Sequence, residues 1–218
     1  MKIKWYGHAA FLITAANGTK VIADPYESGA FGGQLAYEKI DDRADIALVS
    51  HDHADHNDAK SLPGSPQVVQ GTGTKTVKGL TFKGISTYHD PSKGKERGTN
   101  TIFTFSVDGI QVCHAGDLGH ILGEKELAEI GPVDILMIPV GGYFTIDPKE
   151  ATRVVEQIKP RVTIPMHFKT KKCEFPIAPV EDFLKGKPKV KRANATEVTF
   201  DPATLPKEME IVVLEHAR

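Results

Sequence analysis

The stretch Ser50-His51-Asp52-His53-Ala54-Asp55-His56 reads His-x-His-x-Asp-His and constrains the fold of this chain more than any other. It directly follows the apolar run Ile46-Ala47-Leu48-Val49, so a strand should end there and a loop should open at the rim of a sheet. Imidazole is the commonest protein ligand for divalent transition metals, and carboxylates complete such sites. Residues two apart on an extended segment point the same way, so His51 and His53 can grip one ion. Asp55 and His56 follow where the chain begins to turn toward a helix, and can face a second ion. A fold that uses this segment must bring further donors to the same rim.

The pattern resembles the signature of the metallo-β-lactamase superfamily, and the similarity runs along most of the chain. Tyr6-Gly7-His8-Ala9-Ala10-Phe11-Leu12-Ile13 followed by Val21-Ile22-Ala23-Asp24-Pro25 is similar to that family's first hairpin strands and their Asp-Pro end. Tyr88-His89-Asp90 resembles the segment with the third histidine. His114-Ala115-Gly116-Asp117-Leu118-Gly119-His120 resembles the segment with the bridging carboxylate, and Pro165-Met166-His167 the one with the last histidine. Arg97-Gly98-Thr99-Asn100-Thr101-Ile102-Phe103 resembles a narrower branch of intracellular metal-dependent hydrolases, the one containing L-ascorbate 6-phosphate lactonase. The resemblance implies an α/β fold, a four-layer αββα sandwich with a dinuclear metal site at one edge. It implies no substrate, because lactonases, thioesterases, phosphodiesterases, nucleases and oxygen-reducing enzymes share this fold.

A length of 218 residues suits one domain spanning residues 1–218. With 27 Lys and Arg against 28 Asp and Glu, no long-range field steers the chain to nucleic acid or to an anionic membrane. The basic run Lys185-Gly186-Lys187-Pro188-Lys189-Val190-Lys191-Arg192 reads as a solvated surface loop balanced by acids elsewhere. Two cysteines, Cys113 and Cys173, make no disulfide scaffold and fit a reducing compartment. The N-terminus enters strand-like sequence at once, and no run reaches membrane-spanning length. The expected location is the cytoplasm, the expected partner a small-molecule substrate, and self-association into a homo-oligomer stays open.

Hydrophobic patterning predicts strands at Lys2–Tyr6, Phe11–Ala15, Lys20–Asp24, Ile46–Ser50, Gln67–Gln70, Thr81–Thr87, Thr101–Val107 and Gln111–His114. Asn17-Gly18 and Asp108-Gly109 mark hairpins. The back half alternates: helices at Glu124–Glu129, from Asp147-Pro148 to about Lys159, and at Val180–Leu184, with strands at Val133–Pro139, Arg161–Met166, Glu197–Phe200 and Glu210–Leu214. A hairpin-rich front and an alternating back fit a two-sheet sandwich better than a Rossmann sheet.

Candidate donors recur where these strands end. Leaning on the family resemblance as well as on spacing, His51, His53 and His89 are assigned to one ion, Asp55, His56 and His167 to the other, and Asp117 between them. His114 competes with His89, but three residues from Asp117 on an extended strand it points the opposite way. Imidazole and carboxylate suit Zn²⁺ first, with Mn, Fe, Ni or Co also compatible. Two such ions would make a hydroxide nucleophile from water and polarise the substrate oxygen. Asp55 is expected both to ligate and to orient that hydroxide.

Around this set, His8 reads either as a substrate contact or as a satisfied core histidine, and Asp24 as a carboxylate orienting a ligand histidine or as a turn former. His120 is a candidate general acid for the leaving group or an exposed loop histidine. Arg97 is a candidate for binding an anionic substrate group, or pairs with an acid in its own loop. Tyr143, after the glycines at 141 and 142, is a candidate substrate contact. The resulting expectation is hydrolysis of an ester, lactone or phosphodiester of a small, anionic molecule. A nuclease, a di-iron redox protein and a metal-binding module are the alternatives.

Overall fold

The computed structural model describes residues 1–218. In chain order the strands are β1 (Lys2–Gly7), β2 (Ala10–Thr14), β3 (Lys20–Ala23), β4 (Ile46–Val49), β5 (Gln67–Gln70), β6 (Gly73–Val77), β7 (Leu80–Tyr88), β8 (Thr99–Val107), β9 (Ile110–His114), β10 (Ile135–Pro139), β11 (Val162–Met166), β12 (Val190–Arg192), β13 (Glu197–Thr199) and β14 (Glu210–Val213). The helices are α1 (Glu124–Ile130), α2 (Pro148–Ile158) and α3 (Val180–Leu184). One sheet has the order β13-β1-β2-β3-β4-β5 and the other β12-β14-β11-β10-β9-β8-β7-β6. The two sheets pack face to face, giving the α/β sandwich that the patterning predicts.

Alternation along the strands builds the layers. In β1 and β2, Ile3, Trp5, Phe11 and Ile13 turn inward and join Phe82, Phe103 and Met137 of the other sheet in one core. Tyr6, Ala10 and Leu12 turn outward. They are covered by Tyr26, Leu35, Tyr37 and Ile40, by Leu62 and by Phe175, which lie outside the strands and helices. The layer over the first sheet is thus ordered coil with one 3₁₀ turn, Ala59–Ser61, and α-helices cap only the second sheet. Helix α2 starts where predicted. The Asp147 carboxylate accepts from the Lys149 and Glu150 amides at 2.8 Å, and Glu150 returns a bond to the Asp147 amide. Such a cap contributes about 1 kcal/mol, and Ala151, Val154 and Val155 then face the core.

Two strands lie outside the prediction. β6 is polar and exposed along nearly all of its length, so it carries no alternation; it is defined only by pairing with β7. The end of the basic run forms β12, three exposed residues parallel to β14. Two charges of the basic run are paired with acids, Lys189 with Glu208 and Arg192 with Glu181. Cys113 and Cys173 are buried and free. No helix is long and apolar enough to cross a membrane.

Strand direction positions the site. β3 runs parallel to β4, and β1 is antiparallel to β2, which is antiparallel to β3. β1, β3 and β4 therefore point the same way. In the other sheet β9, β10 and β11 are parallel, and two antiparallel steps bring β7 into the same direction. The residues just past these strand ends are His8, Asp24, His51, His89, Asp117 and His167. Ligand sites of layered α/β proteins form at such rims.

Candidate metal centre

The donors converge as two groups. The nitrogens of His51, His53 and His89 lie within 4.8 Å of one another, and so do the donor atoms of His8, Asp55, His56 and His167. Asp117 sits between them. Its Oδ2 is 3.2 Å from His56 Nε2, 3.3 Å from His167 Nε2 and 3.3 Å from His89 Nε2. His56 Nε2, Asp55 Oδ1 and Asp117 Oδ1 are buried without any hydrogen-bond partner. Leaving buried polar atoms unpaired costs about 1–3 kcal/mol each. Imidazole nitrogens and carboxylate oxygens crowded around one point are the donor chemistry of a divalent cation, and the residues present fit one.

The imidazoles are held for that purpose from behind. Asp24 Oδ2 takes the His56 Nδ1 proton at 2.9 Å and the Ser50 hydroxyl at 2.7 Å. Its other oxygen accepts from the Ser50 amide at 2.8 Å. Since the Ser50 hydroxyl donates to Asp24, the 2.8 Å contact between Ser50 Oγ and His51 Nδ1 has the imidazole donating. One buried carboxylate therefore fixes both His51 and His56 with Nε2 turned to the site, the role in which carboxylates tune metal ligands. Asp24 is an orienting residue here, as well as the end of β3.

Asp117 is placed by a different device. Asn100 Oδ1 accepts the Asp117 amide at 2.9 Å, while Asn100 Nδ2 donates to Thr87 Oγ1 and to the Ala115 carbonyl, both at 2.9 Å. A Cβ at Gly116 would lie 2.3 Å from Asn100 Oδ1, and one at Gly119 would lie 2.3 Å from the Asp90 amide nitrogen. Only glycine at both positions lets the loop carrying Asp117 press against the loops carrying His51 and His89. Asn100 lies within the Arg97–Phe103 stretch, but its contact to Asp117 crosses between strand ends and has no sequence signal.

The electrostatics divide the histidines. Burial, followed by the nearby His56, pushes His51 down to about 3; burial, followed by His167, pushes His8 down to about 4. Burial opposes charge on His56 as well, but Asp117, Asp55 and Asp24 overcome it and hold this imidazole well above its usual range. Asp117 and Asp55 are held well below the carboxylate range, because surrounding imidazoles outweigh the burial penalty.

Of the remaining candidates, His114 is a core residue. Its Nε2 donates to the Ala9 carbonyl at 3.0 Å, and its Nδ1 accepts from the Gly116 amide at 3.2 Å. His8 is fully buried, with Nε2 2.9 Å from Asp55 Oδ2. It packs against His167 and is not among the residues that line the cavity, which favours the satisfied-histidine reading over the substrate contact. His120 does not line the cavity: Nε2 accepts from the Tyr88 amide at 3.1 Å and Nδ1 donates to the Ile121 carbonyl at 2.9 Å, which weighs against a general-acid role. Tyr143 is 65% exposed and does not line the cavity; its neighbour Phe144 does.

That cavity has a volume of about 380 Å³ and is floored by His53, Asp55, His89, Asp117 and His167. The aromatic rings of Phe31, Phe144 and Phe175 and the polar side chains of Gln34, Glu96 and Arg97 complete its lining. Arg97 both lines the cavity and pairs with Glu96 at 3.4 Å, so its charge is already partly compensated. Asp90, next to His89, accepts from the amides of Gly94, Glu96 and Arg97 at 2.9, 3.1 and 2.8 Å and pins this loop over the site.

A family model described as a β-lactamase superfamily domain matches residues 2–167. A metal-dependent hydrolase of Carboxydothermus hydrogenoformans is 35% identical over 202 residues, covering 78% of this chain and 85% of its own. One from Thermococcus kodakarensis is 32% identical over 196 residues with the same coverage. A solved candidate Zn-dependent hydrolase of the metallo-β-lactamase superfamily from Thermotoga maritima is 37% identical, with a TM-score of 0.81 over 98% of both chains. With its two-sheet sandwich and its cluster of histidine and aspartate at the strand ends, this chain belongs to the metallo-β-lactamase superfamily and is a metal-dependent hydrolase.

Proposed function

We propose that the chain hydrolyses an ester, lactone or phosphodiester bond of a small molecule with two divalent cations, zinc by default. His51, His53 and His89 would hold one cation, Asp55, His56 and His167 the other, with Asp117 shared. The observation that carries this reading is Asp117 Oδ2, which faces imidazole nitrogens of both groups at 3.2–3.3 Å. Divalent cations held by these residues would supply Lewis acidity toward water and toward the oxygen of the scissile bond. The protein's part is positional. His8 fixes one oxygen of Asp55 at 2.9 Å and leaves the other, unpartnered, for the cation or the attacking water. Arg97 offers its free edge to a substrate oxygen across the cavity. Lactones are included because of the resemblance at Arg97–Phe103. Two free, buried thiols support a reducing, cytoplasmic setting.

The test is metal content per chain in protein purified without chelator. It is followed by hydrolysis of bis-p-nitrophenyl phosphate and a lactone panel after loading Zn²⁺ or Mn²⁺. Two ions per chain and metal-dependent turnover are expected, with both reduced in His53→Ala and Asp55→Ala while circular dichroism stays native. Wild-type metal content and activity in both variants would remove the assignment.

A further inference from the structure

The metal centre opens into two adjoining spaces of opposite character. The cavity described above has an aromatic side, where the Phe175 ring lies 5.4 Å from Phe31 and 5.5 Å from Phe144 in edge-to-face contact. Phe31 is 51% exposed, and large apolar rings left open beside a polar centre mark a surface that a ligand covers. The second space is a groove of about 320 Å³ with Gln70, Thr99 and Thr101 on its walls and no apolar side chain. His53 and Arg97 line both spaces. The Arg97 guanidinium lies 5.9 Å from the Phe144 ring centre, so it marks the border between them. Asp52 also lines the groove, and Glu96 pairs with Arg97, so the groove carries little net charge to select a polyanion.

Resting on the hydrolase reading above, we infer that the substrate is two-sided. An apolar acyl or aryl group lies against Phe31, Phe144 and Phe175. An uncharged hydroxylated or amide-bearing group lies in the groove at Gln70 and Thr99, and the scissile bond passes His53. For an ester, the oxygen of water ends on the acyl carbon, the acyl carbon–oxygen bond breaks, and a proton from water ends on the departing alcohol. Arg97 discriminates by position: a molecule with only one half leaves one of its two faces unused.

The probe is the amide of phenylbutyric acid with aminopropanediol, which resists hydrolysis. It is compared with its two halves, N-methylphenylbutanamide and N-acetylaminopropanediol. Binding is measured by calorimetry on metal-loaded protein and again after chelation. The whole amide should bind at least ~10-fold more tightly than either half, about 1.4 kcal/mol. Phe31→Ala and Phe144→Ala should weaken the whole probe and the phenyl half alike and leave the polar half unchanged; Gln70→Ala and Thr99→Ala should do the reverse. A phenyl half that binds as tightly as the whole, or Phe variants that bind as wild type, would overturn the inference. The predicted binding pattern without turnover of the matching ester supports the two-sided site and removes the ester from the proposed bond types. Turnover of that ester indifferent to Phe31 and Gln70 overturns the two-sided site and leaves the hydrolase.

Discussion

His51, His53 and His89 present three imidazoles, one of them exposed, whereas His8, Asp55, His56 and His167 are all buried and include a carboxylate. The first group is all imidazole and includes the exposed His53; the second carries an anion and is more deeply buried, although Asp55 and His167 still reach the cavity. His8 holds Asp55, and Asp24 holds His56. In a low-dielectric surrounding an anion attracts a cation far more strongly than in water, and prefixed ligands lose less freedom on binding. On the proposed assignment, the difference implies that the buried group would retain its cation longer than the group that includes the exposed His53. The carboxylate Asp117 belongs to both.

The largest effect should come from removing what the groups share. Asp117→Ala is expected to lower kcat/KM by on the order of 10³-fold or more and to reduce the metal content of both groups; retention of one full ion in an active variant would show that the groups are independent. Next, Asp24→Asn weakens the hold on His56 and, through Ser50, on His51. Metal affinity or activity should fall about 10- to 100-fold. If a chelator competition shows wild-type affinity, Asp24 serves only the turn.

The comparison was legible in the sequence to a definite depth. His51, His53, Asp55 and His56 stand in six positions, and spacing alone divides them into two pairs. His89, Asp117 and His167 needed the resemblance, because their convergence depends on strand direction in two different sheets. The supports were not legible. Asn100 reaches Asp117 from 17 residues away, and Phe31, Phe144 and Phe175 meet through loops with no periodicity. His120 stayed ambiguous because a histidine three residues past a Gly-Asp pair looks the same whether it faces substrate or, as here, the Tyr88 amide. In the fold, amphipathic strands and the capped α2 were readable, while the coil over the first sheet and the polar β6 rest on pairing and packing.

A smaller effect sharpens the electrostatic side of the comparison. His56 is held protonated by Asp117, Asp55 and Asp24, whereas burial keeps His8 and His51 neutral down to about 4 and 3. Cation loading at neutral pH would then displace a proton from His56, whereas His51 is already free of one. Loading at pH 7 should therefore release about one proton, and affinity should rise with pH while His56 remains protonated. Calorimetry in buffers of different ionisation enthalpy reads this directly; no proton release, or an affinity that falls as pH rises, would contradict it. The smallest effects mark the boundary of the site. Tyr143→Ala should leave kcat/KM within about twofold. His120→Ala should do the same while costing about 1–2 kcal/mol of stability in denaturant unfolding, because two backbone groups lose their partner. A large loss of kcat in His120→Ala at unchanged metal content would restore it as a general acid.

Anomalous X-ray diffraction from crystals soaked in Zn²⁺, recorded on either side of the zinc absorption edge, tests the central claim most directly. The account predicts two peaks flanking Asp117, one among His51, His53 and His89 and the other among Asp55, His56 and His167, with the second persisting longer on back-soaking into chelator. Peaks confined to other surface residues, or none at either group, would contradict it.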